Sequence, residues 1–185
     1  PLQPTTGPWG LFQRLSIRCL GTLVEDVTHY NFVHQIFFDG LSMNAKQREI
    51  DLGWGGHVDI GGTIECEEIA AGDTRTVTMN LCSGLFSGQT NYLFLCAMLP
   101  QIEIELAGAE AGIEGNDGTP GVNPVRSIQW KISNPTVLGS VVALSQNLVN
   151  AYTKHLEEAK SLPYAFGTYA AVQHTIADPS NSSIN

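Results

Sequence analysis

Residues Ser127–Tyr169 place a helix between two strand-like stretches, and this order constrains the fold more than any other feature of the chain. Ser127–Ser133 alternates polar and apolar residues, as a half-buried strand does, and Asn134-Pro135 ends it. Helical periodicity follows over Ser145–Lys160, with the first residue as N-cap and an apolar stripe on one face. An extended pattern returns over Ser161–Tyr169. The stretch therefore predicts a helix that bridges two β systems.

Further strands are predicted from alternating or continuously apolar runs. Each run is short and is bounded by glycine, proline or polar turn residues, which favours antiparallel pairing. The runs are Leu11–Leu20, Asp73–Leu81, Tyr92–Met98 and Gln101–Leu106, with a short strand at Thr63–Glu67.

A second helix is predicted over Glu25–Gly40. Apolar residues recur there every three or four positions, the two acids at its start suit the positive end of a helix, and Gly40 suits its stop. The glycine-rich stretch Ser42–Gly72 is predicted to be a long irregular excursion, and Ala107–Val125 a surface loop. With about seven strands, two short helices in connections and no βαβ alternation, the predicted class is all-β, an antiparallel jelly-roll sandwich.

Composition excludes several functions. The formal net charge is −9, and binding to phosphate backbones requires a basic surface, so we expect no direct nucleic-acid binding. No run approaches the roughly 20 apolar residues of a spanning helix, and the start of the chain does not read as a secretion signal, which predicts no membrane insertion. The absence of an initiator Met predicts processing, or a piece of a longer protein.

Cysteines and histidines are not spaced as metal ligands. The cysteines form no C-x-x-C pair, which predicts reduced core thiols and folding inside a cell. The histidines form no H-E-x-x-H pattern, so we expect structural or solvated side chains and no bound zinc, iron or other cofactor. These residues are Cys19, Cys66, Cys82, Cys96, His29, His34, His57, His155 and His174.

No catalytic residue is predicted. Gly84–Gly88 has the wrong register for a G-x-S-x-G elbow, and Gly53–Gly56 lacks the Lys-Ser/Thr of a phosphate loop. Glu103 and Glu105 share a strand face as paired acids do, although solvated positions explain them better. The acids that could bind a divalent cation are Asp59, Glu65, Glu67 and Glu68. Their spacing is not that of a calcium-binding loop. The chain is therefore predicted not to be an enzyme.

Several short motifs occur in an order that resembles a known family. They are Gly10–Arg14, Gly21–Asn31, Ser83–Ser87, Gln101–Leu106, Trp130–Ile132, Ala151–Leu156 and Lys160–Pro163. In this order the chain resembles the double jelly-roll major capsid proteins of polinton-like viruses and of related large DNA viruses and virophages.

The resemblance implies that residues 1–144 form part of a first jelly-roll domain. Residues 145–185 would be the bridging helix and the first segment of a second jelly roll, into which the polypeptide continues. Since a double jelly roll needs about sixteen strands, this chain supplies roughly half.

As a function, the resemblance implies a structural capsid protein. Homotrimers would form pseudo-hexameric capsomers that contact neighbouring capsomers and minor capsid proteins in an icosahedral virion, assembled inside the host cell. The alternative is a carbohydrate-binding or cupin-like module on the same sandwich. In that alternative Trp9, Trp54 and Tyr92 could stack on sugar rings.

Overall fold

A computed structural model describes residues 2–4, 6–70, 72–86, 93–108, 113–115, 125–126, 130–158, 161 and 164–172. The chain forms two compact units. The first consists of Pro1–Gln129 with Gly167–Asn185, and the second of Trp130–Phe166. The sequence predicts a division after residue 144, between a first jelly roll and the start of a second. That division stays a prediction.

Short strands and helices alternate along the first unit. They are β1 (Leu2–Pro4), a 3₁₀ turn (Pro8–Leu11), β2 (Phe12–Cys19), β3 (Thr22–Thr28), α1 (Tyr30–Asp39), α2 (Met43–Leu52), β4 (Gly56–Val58), β5 (Ile64–Cys66), α3 (Leu95–Met98), β6 (Pro100–Leu106), β7 (Ile113–Gly115) and β8 (Val125–Arg126). The second unit contains α4 (Gln146–Glu157).

The central sheet has the order β3-β2-β6 and is antiparallel throughout. Leu15 pairs with Val27 and Ile17 with Glu25, so these four side chains share one face, and all of them are buried. The opposite face of the sheet is polar. There the Arg14 guanidinium donates two hydrogen bonds of 2.7 Å to Asp26 on the neighbouring strand, which lowers the pKa of that carboxyl group.

Two smaller antiparallel sheets accompany the central one. Their orders are β1-β7-β8 and β4-β5. The strands of these sheets have two or three residues each, so they pair over short lengths. Among the described residues the three sheets stay separate, and no closed barrel is formed.

Helix α1 covers the core beside β2 because one of its faces is apolar. Tyr30, Val33, His34 and Phe38 recur every three or four residues and are buried. The indole of Trp9 stacks on His34 at 4.4 Å and tilts against Phe38 at 4.9 Å between ring centroids. The 3₁₀ turn that carries Trp9 therefore closes one end of this core.

Some of the elements predicted from the sequence are present in the structure. β2, β5 and β6 confirm the strands predicted at Leu11–Leu20, Thr63–Glu67 and Gln101–Leu106. Helix α4 confirms the helix predicted over Ser145–Lys160 and its N-cap position, although the Ser145 side chain makes no capping hydrogen bond. The described residues 130–145 and 164–172 on either side of it are not in strands, so its role as a bridge between two β systems stays a prediction. These elements have strong periodicity and clear end signals, which is why sequence reasoning finds them.

Five predictions are wrong in the described residues. The helix predicted from Glu25 starts only at Tyr30, because residues 22–28 pair with β2 as a strand. Ser42–Gly72 contains helix α2, and the predicted strand at Tyr92–Met98 ends in the single helical turn α3. Asp73–Leu81 is not a strand. Of the strand predicted at Ser127–Ser133, residues 127–129 lie outside the described part, and the rest is not a strand.

The coarse fold is therefore a set of small antiparallel sheets with substantial helix content. The predicted antiparallel pairing is confirmed, whereas the predicted all-β class with two short helices understates the helix content. The jelly roll itself stays a prediction. None of the described helices has the length and apolarity needed to cross a membrane.

Candidate functional site

The most unusual group in the structure is the carboxylate of Glu25. Glu25 lies in β3 in phase with Val27, so its side chain points to the buried face, opposite Ile17 of β2. It is 2% exposed. A carboxylate in such a position must find hydrogen-bond donors within the protein, because burial removes its water.

Four donors surround this carboxylate. Oε1 accepts hydrogen bonds from the Gly84 amide at 2.7 Å and from the Thr168 hydroxyl at 3.1 Å. Oε2 accepts from the Ser83 hydroxyl at 2.5 Å and from the Leu85 amide at 3.2 Å. Within the described residues no Lys, Arg or His forms an ion pair with Glu25. The charge is therefore satisfied by neutral dipoles from two segments that are distant in sequence.

Glycine at position 84 makes this arrangement sterically feasible. A Cβ atom on Gly84 would collide with the carbonyl oxygen of Gly167 and lie 3.2 Å from Oε1 of Glu25. The backbones of Gly84 and Gly167 therefore approach each other directly beside the carboxylate. A residue with a Cβ atom at position 84 would not allow this close approach. We refer to residues 82–86 as the glycine turn and to residues 167–172 as the return segment.

The glycine turn is also tied to helix α1. The hydroxyl oxygen of Tyr30 accepts a hydrogen bond of 2.8 Å from the Cys82 amide. Burial raises the pKa of Tyr30 above its usual range, so the phenol stays protonated. Burial likewise raises the pKa of the Cys82 thiol to about 11, and this cysteine is a poor nucleophile at neutral pH.

An apolar groove of about 590 Å³ lies between helix α1 and the return segment. One wall consists of the outward face of α1, and the other of Thr168–Val172. Phe37 contacts Tyr169 across it with ring centroids 4.8 Å apart, and the Thr28 hydroxyl reaches the Ala171 carbonyl at 3.4 Å. Ile36 is 70% exposed and Val172 79%, so the groove is open to solvent.

His34 is a second buried polar group in the same unit. Its Nε2–H donates to the carbonyl of Asn80 at 3.0 Å, and the Asn80 amide in turn donates to Glu49. Burial lowers the pKa of His34, although the Asn80 carbonyl and the Glu49 charge both oppose this shift. The imidazole is thus held neutral between Trp9 and the α2 side of the core.

Several of the acids singled out in the sequence are held in separate polar contacts, and Glu68 lies exposed after β5. Glu103 accepts from Arg18 at 3.5 Å, and Glu105 lies opposite Arg14 in the β2–β6 register. The remaining contacts are His57–Glu65 at 3.1 Å, Arg75–Glu67 at 2.6 Å and the Thr63 amide to Asp59 at 2.7 Å. Across the described ranges, no three His, Cys, Asp or Glu residues come together in a way that could hold a metal ion.

Two of the three aromatic residues suggested for sugar stacking are buried. Trp9 is 1% exposed and Trp54 5%, so both belong to the core, and Tyr92 lies outside the described residues. Of the histidines, His29 precedes α1 in a left-handed conformation and His155 is in the last turn of α4, whereas His174 lies outside the described residues. Gly53–Gly56 forms the turn from α2 into β4, where Gly55 and Gly56 have positive φ.

Sequence reasoning missed Glu25 as a buried group. Its signal was alternation: in Thr22–Thr28, Glu25 shares a strand face with the buried Val27. Of the Gly84–Gly88 stretch, which is predicted not to be a nucleophile elbow, residues 87–88 lie outside the described part. The amides of Gly84 and Leu85 in this stretch, and the hydroxyl of the preceding Ser83, donate hydrogen bonds to Glu25.

Comparison of the chain with protein-family models, with characterised proteins and with solved structures gives no match in any of the three.

Proposed function

We propose that the chain is a building module of a viral major capsid protein, in which a double jelly roll assembles as a homotrimeric capsomer. The proposal starts from the ordered motifs that resemble this family. In it, the small antiparallel sheets belong to a first jelly roll and α4 leads into a second. The function is to bury surface between modules and subunits rather than to carry out a reaction.

The observation that carries the proposal is the exposed apolar surface of the second unit. Between Trp130 and Ser145, Val137, Leu138 and Val141 are each about three-quarters or more exposed. Helix α4 has an apolar stripe, yet none of its residues is buried. These exposed apolar side chains lie close together in the sequence, and we infer that such a group marks a site for protein contact.

The polar face of the central sheet is consistent with a structural role. Asp26 pairs with Arg14 and Glu103 with Arg18 across neighbouring strands. These pairs neutralise charge within the sheet, so the acids are not free to bind a ligand. The buried carboxylate of Glu25 is enclosed by donors from the protein itself. These polar groups serve the fold.

Sedimentation of the intact subunit tests the proposal. We expect a trimer or a larger assembly, since a shell protein needs extensive complementary surfaces, on the order of 1,000 Å² or more per contact. Leu138→Asp should reduce assembly strongly because it places a charge in the apolar run. Ser140→Asp, which adds the same charge at a polar position of the run, is the matched control.

Two results would contradict the proposal. One is a stable monomer at high concentration, and the other is equal assembly of wild type and Leu138→Asp. Mass spectrometry of the natural subunit supplies an independent check. A double jelly roll predicts at least about twice the 20.0 kDa of this chain, as two domains of ordinary size require, and electron microscopy of particles would show the capsomers.

A further inference from the structure

Glu25 joins two segments that are otherwise far apart in the sequence. The glycine turn is 58 to 60 residues from Glu25, and Thr168 is 143 residues from it. The two segments share one atom, because Oε1 accepts from both the Gly84 amide and the Thr168 hydroxyl. Movement of either segment therefore removes a donor from the same buried charge.

We propose that Glu25 is a latch that makes the glycine turn and the return segment open and close as one cooperative unit. A buried carboxylate that loses a donor is left under-solvated, and that penalty acts on the remaining hydrogen bonds as well. Loss of the Thr168 bond thus lowers the free energy needed to open the glycine turn, and loss of the turn lowers the free energy needed to release Thr168. The coupling runs through the carboxylate rather than along the chain.

The latch controls the apolar groove. The return segment supplies one wall of the groove, and Tyr169 covers part of Phe37 on the other. When the latch opens, the outward face of α1 loses this wall and the contact between Tyr169 and Phe37. Local opening of this kind occurs below the free energy of global unfolding.

Residue-level amide exchange measured by NMR on the whole chain tests the coupling. Thr168→Val keeps the shape of the side chain and removes only its hydroxyl. We expect exchange of the Gly84 and Leu85 amides to rise about tenfold or more, although the substitution lies on the other segment. Tenfold corresponds to roughly 1.4 kcal/mol, at the low end for a hydrogen bond to a charged group.

Thr28→Val is the matched control. The Thr28 hydroxyl also holds the return segment, through the Ala171 carbonyl at 3.4 Å, but its bond does not pass through Glu25. We expect this variant to leave exchange of Gly84 and Leu85 within about twofold of wild type. Glu25→Gln should raise exchange of the Gly84 and Leu85 amides, because the side-chain nitrogen of glutamine is a donor and cannot accept the bonds that one carboxylate oxygen accepts in the wild type.

The outcomes separate cleanly. Faster exchange at Gly84 and Leu85 in Thr168→Val but not in Thr28→Val supports the latch. Unchanged exchange there in Thr168→Val, or an equal rise in both threonine variants, overturns it. If Glu25→Gln does not fold, the threonine pair still decides.

Discussion

Replacing Gly84 with alanine should cost a large part of the stability of the first unit. The added Cβ would overlap the carbonyl oxygen of Gly167, and the clash is between backbones, so neither side relieves it by rotating a side chain. Forcing one extra carbon into a packed site costs about 1–3 kcal/mol. Separation of the two segments would also stretch the bonds from Gly84 and Leu85 to Glu25.

The expected magnitude follows from these two contributions. A hydrogen bond to a charged group contributes about 1.5–3 kcal/mol, and loss of one such bond is added to the steric cost. We therefore expect Gly84→Ala to lower the free energy of unfolding by about 3 kcal/mol or more. That is a substantial fraction of the roughly 5–15 kcal/mol of a typical domain.

Urea unfolding followed by tryptophan fluorescence measures this effect, because Trp9 and Trp54 are buried in the native unit. Gly167→Ala is the matched control on the other side of the same contact. No described atom lies within 4 Å of its added Cβ, so we expect a change of no more than about 1 kcal/mol. A Gly84→Ala protein within about 0.5 kcal/mol of wild type would refute the close backbone approach.

Three further predictions concern buried polar groups. Tyr30→Phe should lower stability by about 1–3 kcal/mol in urea unfolding, since the buried Cys82 amide loses its acceptor; an unchanged midpoint would count against that bond. The folded-state pKa of His34 lies below its ordinary value of 6.5, so the unfolded chain binds the proton first and stability falls as the pH drops below about 6.5 towards the folded pKa. His34→Phe should remove this part of the decline, and equal slopes for both proteins between pH 7 and 5 would contradict the buried neutral imidazole. Burial raises the pKa of the Cys66 thiol to about 11, so thiol labelling at pH 8 should be much slower at Cys66 in the native protein than in urea, and equal rates would show that the site is open.

Local pattern was sufficient for some elements and not for others. β2, β6 and α4 were predictable because period and end signals agree within each segment. Helix α2 was not predicted because it buries only Ile50 and its sequence therefore has no apolar stripe. Its Ala, Lys, Gln, Arg and Glu residues do favour a helix, but this preference is a weak signal without periodicity. The glycines after α2 drew the interpretation towards an irregular loop.

Glu25 shows where sequence reasoning stops. Two adjacent acids before an apolar periodic run are typical of a helix start, and that local interpretation is sound. The pairing of residues 22–28 with β2 overrides it, and the same pairing directs Glu25 into the core. Whether such a segment forms a strand or a helix depends on its contacts with other segments, and local propensity does not describe those contacts.

The sequence by itself determined the acidic charge, the antiparallel character of the strands and the position of helix α4, since these depend on composition and on patterns within a dozen residues. Only the tertiary structure decided that Glu25 is buried and that the groove has two walls. Donors 58 to 143 residues away satisfy the carboxylate, and a segment beyond α4 completes the groove. Such long-range contacts exist only once the chain has folded, because burial and hydrogen bonding of a charge depend on which segments meet around it.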